Sequence, residues 1–167
     1  MERTHGSVAA AFLYGGPLAD AIARLKYGDR AELAGVLGAL LAEAALPLAG
    51  HVDCAVPLPL HPSRLRARGF NQSALLARPV ARALGVPLEV ERLQRVRPTV
   101  DQAGLARADR EGNVRGAFAA QPLAGAPRVL LIDDVRTTGA TLAAASHALL
   151  AAGASEVRTL VLARAEG

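Results

Sequence analysis

Val129-Leu130-Leu131-Ile132-Asp133-Asp134-Val135-Arg136-Thr137-Thr138-Gly139-Ala140-Thr141 is the stretch that decides the fold. Four consecutive aliphatic residues predict a strand buried on both faces. Two carboxylates follow where that strand is expected to end, and a hydroxyl- and glycine-rich turn then leads into an alanine-rich helical run. In an open α/β sheet ligands collect at the carboxyl ends of strands, and a helix N-terminus offers free N–H groups to an anion. The stretch therefore predicts that Thr137 to Thr141 cradle a phosphate while Asp133 and Asp134 hold polyol hydroxyls or a hydrated metal.

At 167 residues the chain is expected to form one domain, residues 1–167, with residues 1–50 a helical part packing on or capping the core. A hydrophobic content of 51% with 20% charged residues argues against disorder. No apolar run approaches the roughly 18 uncharged residues of a membrane helix. The segment Met1 to Gly6 lacks the features of a secretory signal, so a soluble cytoplasmic protein is expected. Net charge is +4, and of 19 basic residues only Lys26 is lysine. That balance suits polyanions, either nucleic acid or small phosphates; with aromatics at 3% there is little to stack bases, and direct nucleic-acid binding is not expected. The lone Cys54 excludes an internal disulfide and a multi-cysteine zinc site, and its apolar surroundings, Val52 to Val56, place it in the core.

Along the chain, Pro17 to Arg30 predicts a helix with Leu18, Ala21, Ile22 and Leu25 on one face, and Ala31 to Leu46 predicts a second. Lys26 and Arg30 at the first helix end either answer its dipole or serve a ligand. Asp53 to Leu60 predicts a core strand. The run Leu60 to Gln72 then carries three prolines in or just before it and Arg64, Arg66 and Arg68 ahead of Gly69. Such a loop is a second candidate anion site, although a solvated loop has the same composition. His61 suits a turn better than a metal site, and Asn71 or Ser73 can open the next helix. Val86 to Arg92, Val114 to Ala120 and Glu156 to Ala163 predict further strands, with a helix over Leu142 to Ala152. The polar segment Thr99 to Asn113 has the length and charge of a lid carrying Arg107 and Arg110, or of a plain surface segment.

Three rival phosphate chemistries fail on residues. A P-loop needs a glycine loop with lysine, and Lys26 lies in no such loop; G-x-G-x-x-G does not follow the first core strand; four scattered His and one Cys make no zinc cluster. What fits is a ligand with a phosphate at one end, hydroxyls in the middle and a second anionic group beyond.

Val129 to Thr141 resembles the phosphoribosyl pyrophosphate (PRPP) signature of type I phosphoribosyltransferases. Together with Val56-Pro57-Leu58-Pro59-Leu60-His61-Pro62, Arg68-Gly69-Phe70-Asn71-Gln72, Gln102, Arg110 and Asn113, it resembles the ComF family, phosphoribosyltransferase-like proteins associated with bacterial competence for DNA uptake. The resemblance implies an α/β fold of three layers, with a mostly parallel central sheet and helices on both faces. It implies that Thr137, Thr138, Gly139, Ala140 and Thr141 bind the 5-phosphate, with Val135 and Arg136, the latter at a variable position, counted among the substrate-binding residues, and that Asp133 and Asp134 hold the ribose hydroxyls. Mg2+ would lie close by, held indirectly through water or those hydroxyls. Arg68 and Gly69, with Arg66, match the pyrophosphate loop; Lys26 is a further substrate-binding candidate; Arg107 and Arg110 would close over the reaction from the lid. The implied reaction is displacement of pyrophosphate by a nucleobase or base-like amine. The alternative is a non-catalytic module that senses PRPP or a nucleotide for the competence machinery. Many members carry an N-terminal cysteine zinc module that this sequence does not show.

Overall fold

The computed structural model describes residues 4–28, 30–98, 114 and 116–165. The elements in order are β1 (Thr4–Leu13), α1 (Gly16–Tyr27), α2 (Leu33–Ala45) followed by a 3-10 turn (Leu46–Leu48), β2 (Cys54–Pro57), α3 (Pro62–Arg68), α4 (Gln72–Leu84), β3 (Leu93–Arg95), β4 (Phe118–Ala120), β5 (Arg128–Arg136), α5 (Ala140–Ala151) and β6 (Glu156–Arg164). The main sheet has the order β1-β6-β5-β2 and every pairing in it is parallel.

Parallel strands need covered faces, and β5 shows how this chain covers them. Leu130 and Ile132, with Leu160 and Leu162 of β6, pack against Ile22 and Leu25 of α1, Leu37 and Leu41 of α2, and Leu76 and Val80 of α4. Val129 and Leu131, with Val157 and Val161, pack on the other side against Leu142, Ala145 and Leu149 of α5 and against Leu93 and Phe118. Those last two come from a small antiparallel hairpin, β3 with β4. The result is the expected three-layer α/β architecture, with Cys54 buried as expected.

Four expectations are corrected. Residues 1–50 are not wholly helical, because β1 pairs along the outer side of β6, Ala10 opposite Val161 and Phe12 opposite Ala163. The strand expected over Val86 to Arg92 reduces to one bridge, Leu88 with Ala55, and the extended segment that finds a partner begins at Leu93. The loop expected between Leu60 and Gln72 contains α3: Pro62 takes the first helical turn, where its missing N–H is harmless, and His61 caps it by accepting from Ser63 N–H. Finally, β5 does not end before the carboxylates. It pairs with β6 through Asp133 opposite Val161 to Arg136 opposite Arg164, so both acids lie within the strand.

Candidate functional site

The carboxyl end of β5 opens into a cleft of about 330 Å³. Five other segments converge on it: the segment after β2 (Leu58, Pro59 and Leu60), the C-terminus of α1 (Lys26 and Tyr27), α3 with the start of α4, the end of β3 (Arg95), and the N-terminus of α5. Asn71 fixes two of them together. Its Oδ1 accepts from Ser73 N–H at 3.0 Å as the N-cap of α4, and its Nδ2 donates to the carbonyl of Leu58 at 3.0 Å.

Asp133 and Asp134 are buried, 8% and 3% exposed, which a charged group tolerates only with partners. The Ser73 hydroxyl donates to Asp133 Oδ1 at 2.8 Å. Val135 N–H donates to Asp134 Oδ1 at 2.9 Å, and Asp134 Oδ2 stands 2.6 Å from Lys26 Nζ. Burial pushes Asp133 up, to about 8, and the charge of Asp134 adds to the rise; the Ser73 hydroxyl, the Asp134 N–H and the Lys26 ammonium act against it. Lys26 loses some stabilisation of its charge to burial, yet its acid partners raise it above the ordinary lysine value. The site thus holds a carboxyl favoured in its neutral form beside a buried ion pair.

From α3, Arg64 and Arg68, one helical turn apart, both line the cleft. Arg68 donates to Gln72 Oε1 at 2.6 Å, and its guanidinium lies 5.2 Å from the centre of the Tyr27 ring. Gly69 ends α3 at φ 81, the left-handed conformation that lets the chain turn back into α4. At the third side, Gly139 caps α5 at φ 83, and no acidic residue stands in the helix's first turn. An added Cβ there would lie 3.1 Å from Arg136 Nε, because the Arg136 side chain folds across the glycine. The N-terminal N–H groups and partial positive charge of α5 are thereby presented beside the acids.

Of the sequence candidates, Lys26, Arg68, Asp133, Asp134, Val135, Arg136, Thr137, Gly139 and Thr141 line one cleft. Thr138, Ala140 and Gly69 stand beside it without lining it, and Thr138 Oγ1 accepts from Ala140 N–H at 3.4 Å. Arg66 is not in the lining; the helical turn of α3 puts Arg64 there instead. Arg107 and Arg110 lie outside the described residues. The lining also holds residues the sequence reading does not name as substrate-binding, among them Tyr27, Ser73 and Arg95, and Arg64, which enters there only as part of the arginine-rich candidate anion loop. The four-residue spacing of Arg64 and Arg68 was a usable signal had the segment been read as helix. Arg95 arrives through pairing of β3 with β4, where its guanidinium lies 5.5 Å from the Phe118 ring, and no local pattern announces it. In all, five cations (Lys26, Arg64, Arg68, Arg95 and Arg136) face two carboxylates, a charge pattern suited to an extended polyanion carrying hydroxyls.

The sequence pattern of the "Phosphoribosyl transferase domain" family matches residues 71–167. The chain is 35% identical to "DNA utilization protein YhgH" of Salmonella typhi, over 90% of this chain and 69% of that protein. It is 37% identical to "Competence protein F" of Haemophilus influenzae over 68% of this chain and 51% of the relative. Among solved structures, a glutamine PRPP amidotransferase from B. subtilis complexed with ADP and GMP superposes with a TM-score of 0.54 at 21% identity, over 83% of this chain. This chain spans only 30% of that enzyme's length, and the likeness is one of fold. No helix among the described residues is long and apolar enough to cross a membrane.

Proposed function

The chain belongs to the phosphoribosyl transferase domain family, and from that membership we propose that its cleft binds PRPP and transfers the phosphoribosyl group to a nitrogenous base, releasing pyrophosphate. Its relatives are the DNA utilization and competence proteins of the ComF family. The observation that carries the proposal is the convergence in one cleft of adjacent Asp133 and Asp134, the N-terminus of α5, and Arg64 and Arg68.

In this assignment the loop Thr137 to Thr141 and the α5 N-terminus take the 5-phosphate. Asp133 and Asp134 take the ribose hydroxyls. Arg64 and Arg68 take the pyrophosphate, in preference to Arg66; Arg107 and Arg110, which lie outside the described residues, stay candidates for the catalytic step. Positive charge grows on the sugar as its bond to pyrophosphate breaks, and in this assignment Asp134, with Asp133 once the bound ligand favours its ionised form, stabilises that charge. The arginines meet the charge growing on the leaving group. Mg2+ fits this donor set with most of its ligands supplied by the substrate. Among the described residues no group of three or more His, Cys, Asp or Glu could form a protein cage, and Ser73 and Lys26 each already engage one of the acids. Asp133 and Asp134 would hold it through water or hydroxyls, and when bound it neutralises the leaving pyrophosphate. A cytoplasmic location is part of the proposal and agrees with a free, buried Cys54.

The test is calorimetric titration of PRPP with Mg2+ into the wild type and an Asp133→Asn, Asp134→Asn double variant, together with pyrophosphate release over a panel of purines, pyrimidines and amines. The double variant should lose on the order of a hundredfold in PRPP affinity or turnover. Unchanged magnesium-dependent affinity would remove the site assignment. The names of the relatives favour a second outcome, a PRPP-sensing module in DNA utilization or competence. Tight PRPP binding with no turnover on any acceptor would select it.

A further inference from the structure

Tyr27 is the most exposed large hydrophobic residue among those described, at 81%, yet it lines the cleft. Exposure alone is ordinary for a single surface aromatic, and what singles this ring out is its place in the cleft lining and the contacts that fix it. The ring is held in place from two directions. Its neighbour Lys26 is pinned to Asp134 at 2.6 Å, and the Arg68 guanidinium, itself anchored on Gln72 at 2.6 Å, rests 5.2 Å from the ring centre. Tyr27 ends α1, so little of the ring's remaining surface meets its own helix. The chain has no Trp, 2 Tyr and 3 Phe, which leaves few other rings to meet a planar ligand at this mouth.

Resting on the phosphoribosyl assignment above, we infer that Tyr27 is the stacking platform for the planar nitrogenous ring of the acceptor, and thereby the residue that sets acceptor preference. The acceptor forms its bond at the sugar carbon that pyrophosphate leaves, so its ring must lie within a side chain's reach of the pyrophosphate cations. Tyr27 touches one of those cations, Arg68, and follows directly on the lysine paired with the ribose acid Asp134. A π face is tolerant of ring identity, and base-on-aromatic stacking strengthens binding by about tenfold or more.

The experiment compares ribose 5-phosphate, AMP, UMP and inorganic pyrophosphate as probes by calorimetry on the full chain. In the wild type the tighter nucleotide should bind roughly 10- to 100-fold more strongly than ribose 5-phosphate. Tyr27→Ala should bring that ratio close to one with ribose 5-phosphate affinity unchanged, and Tyr27→Phe should keep most of it. In a Tyr14→Phe background Tyr27 is the sole tyrosine in a chain without tryptophan, so nucleotide should quench its emission and ribose 5-phosphate should not. A nucleotide-to-ribose 5-phosphate ratio that survives Tyr27→Ala overturns the inference. So does a Tyr27→Ala variant that weakens only pyrophosphate, since Tyr27 would then act through Arg68 alone. Absence of ribose 5-phosphate binding in the wild type overturns the phosphoribosyl assignment itself.

Discussion

Asp133→Asn should make the protein more stable, and increasingly so as pH rises. Asn keeps the oxygen that accepts from Ser73 at 2.8 Å and removes the charge. In the native state Asp133 is 8% exposed and protonates at about 8, whereas in the unfolded chain it would ionise near the ordinary 3.8. Between those values the native state binds more protons than the unfolded state, so stability falls as pH rises. The wild type therefore has its full share of stability below about pH 4 and loses it progressively up to pH 8. One group can contribute at most about 1.4 kcal/mol per pH unit, which over this window gives on the order of 5 kcal/mol. The value of about 8 already includes the Lys26 charge; water that enters the cleft reduces the penalty further, and about 2 to 3 kcal/mol between pH 5 and 8 is expected.

The assay is urea unfolding of both proteins by circular dichroism at pH 5, 6.5 and 8 in the absence of ligand. The variant's lead should be smallest at pH 5, where only the first part of the loss has occurred, and should widen steadily to pH 8. A difference that stays flat across the range would refute the claim that the empty site favours a neutral Asp133. A variant destabilised equally at every pH would show that the Ser73 contact, and not the charge, dominates.

Two further outcomes follow from packing and pairing. Lys26→Met should destabilise by roughly 1 to 3 kcal/mol at pH 7, below the usual penalty for breaking a buried pair because the lysine side chain is 22% exposed against 4% for Asp134. Chemical unfolding of Lys26→Met, Asp134→Asn should recover most of that loss, and failure to recover it would mean that the ion pair is not its source. Gly38→Ala should destabilise by about 1 to 3 kcal/mol although alanine favours helices, because its Cβ would lie 2.6 Å from Cγ of the rigid Pro79 ring in α4. A raised melting temperature would show that α2 and α4 can move apart at no penalty.

The sequence revealed the elements that local pattern determines. The aliphatic run of β5, the apolar faces of α1, α2 and α4, and the Asn71 cap are each written in neighbouring residues, and each lies within a residue or a few of where it was expected. The errors share a physical cause, which is dependence on partners distant in sequence. Two consecutive acids read as the end of a strand because an unpaired buried charge is so unfavourable; here Ser73, 60 residues away, and Lys26 from α1 supply the pairing that lets the strand run on. The extended conformation of β1 is stabilised by β6 at the other end of the chain. Arg64 replaced Arg66 in the cleft for a simpler reason: alternate arginines suggest one face of an extended loop, whereas on a helix positions four apart share a face.

These corrections bear on function as well as on fold. A sheet optimised for stability would continue β5 with aliphatic residues, since replacing a buried charged cluster by well-packed apolar groups is often neutral or stabilising. Instead the chain places two acids side by side in a strand, pushes one of them to a high pKa, and commits a lysine from another layer to the second. Each contact is one that a polyol, a cation or a phosphate can exchange with. A ligand that separates Lys26 from Asp134 and lets Asp133 ionise must itself bring the positive charge or donors that offset the repulsion between two ionised acids, and any ligand bound at a hundred times its Kd adds about 2.7 kcal/mol to the folded state. The buried acids thus lower stability at the place where the ligand would act, and the D133N stability series and the PRPP titrations report on the same two carboxyl groups from opposite sides.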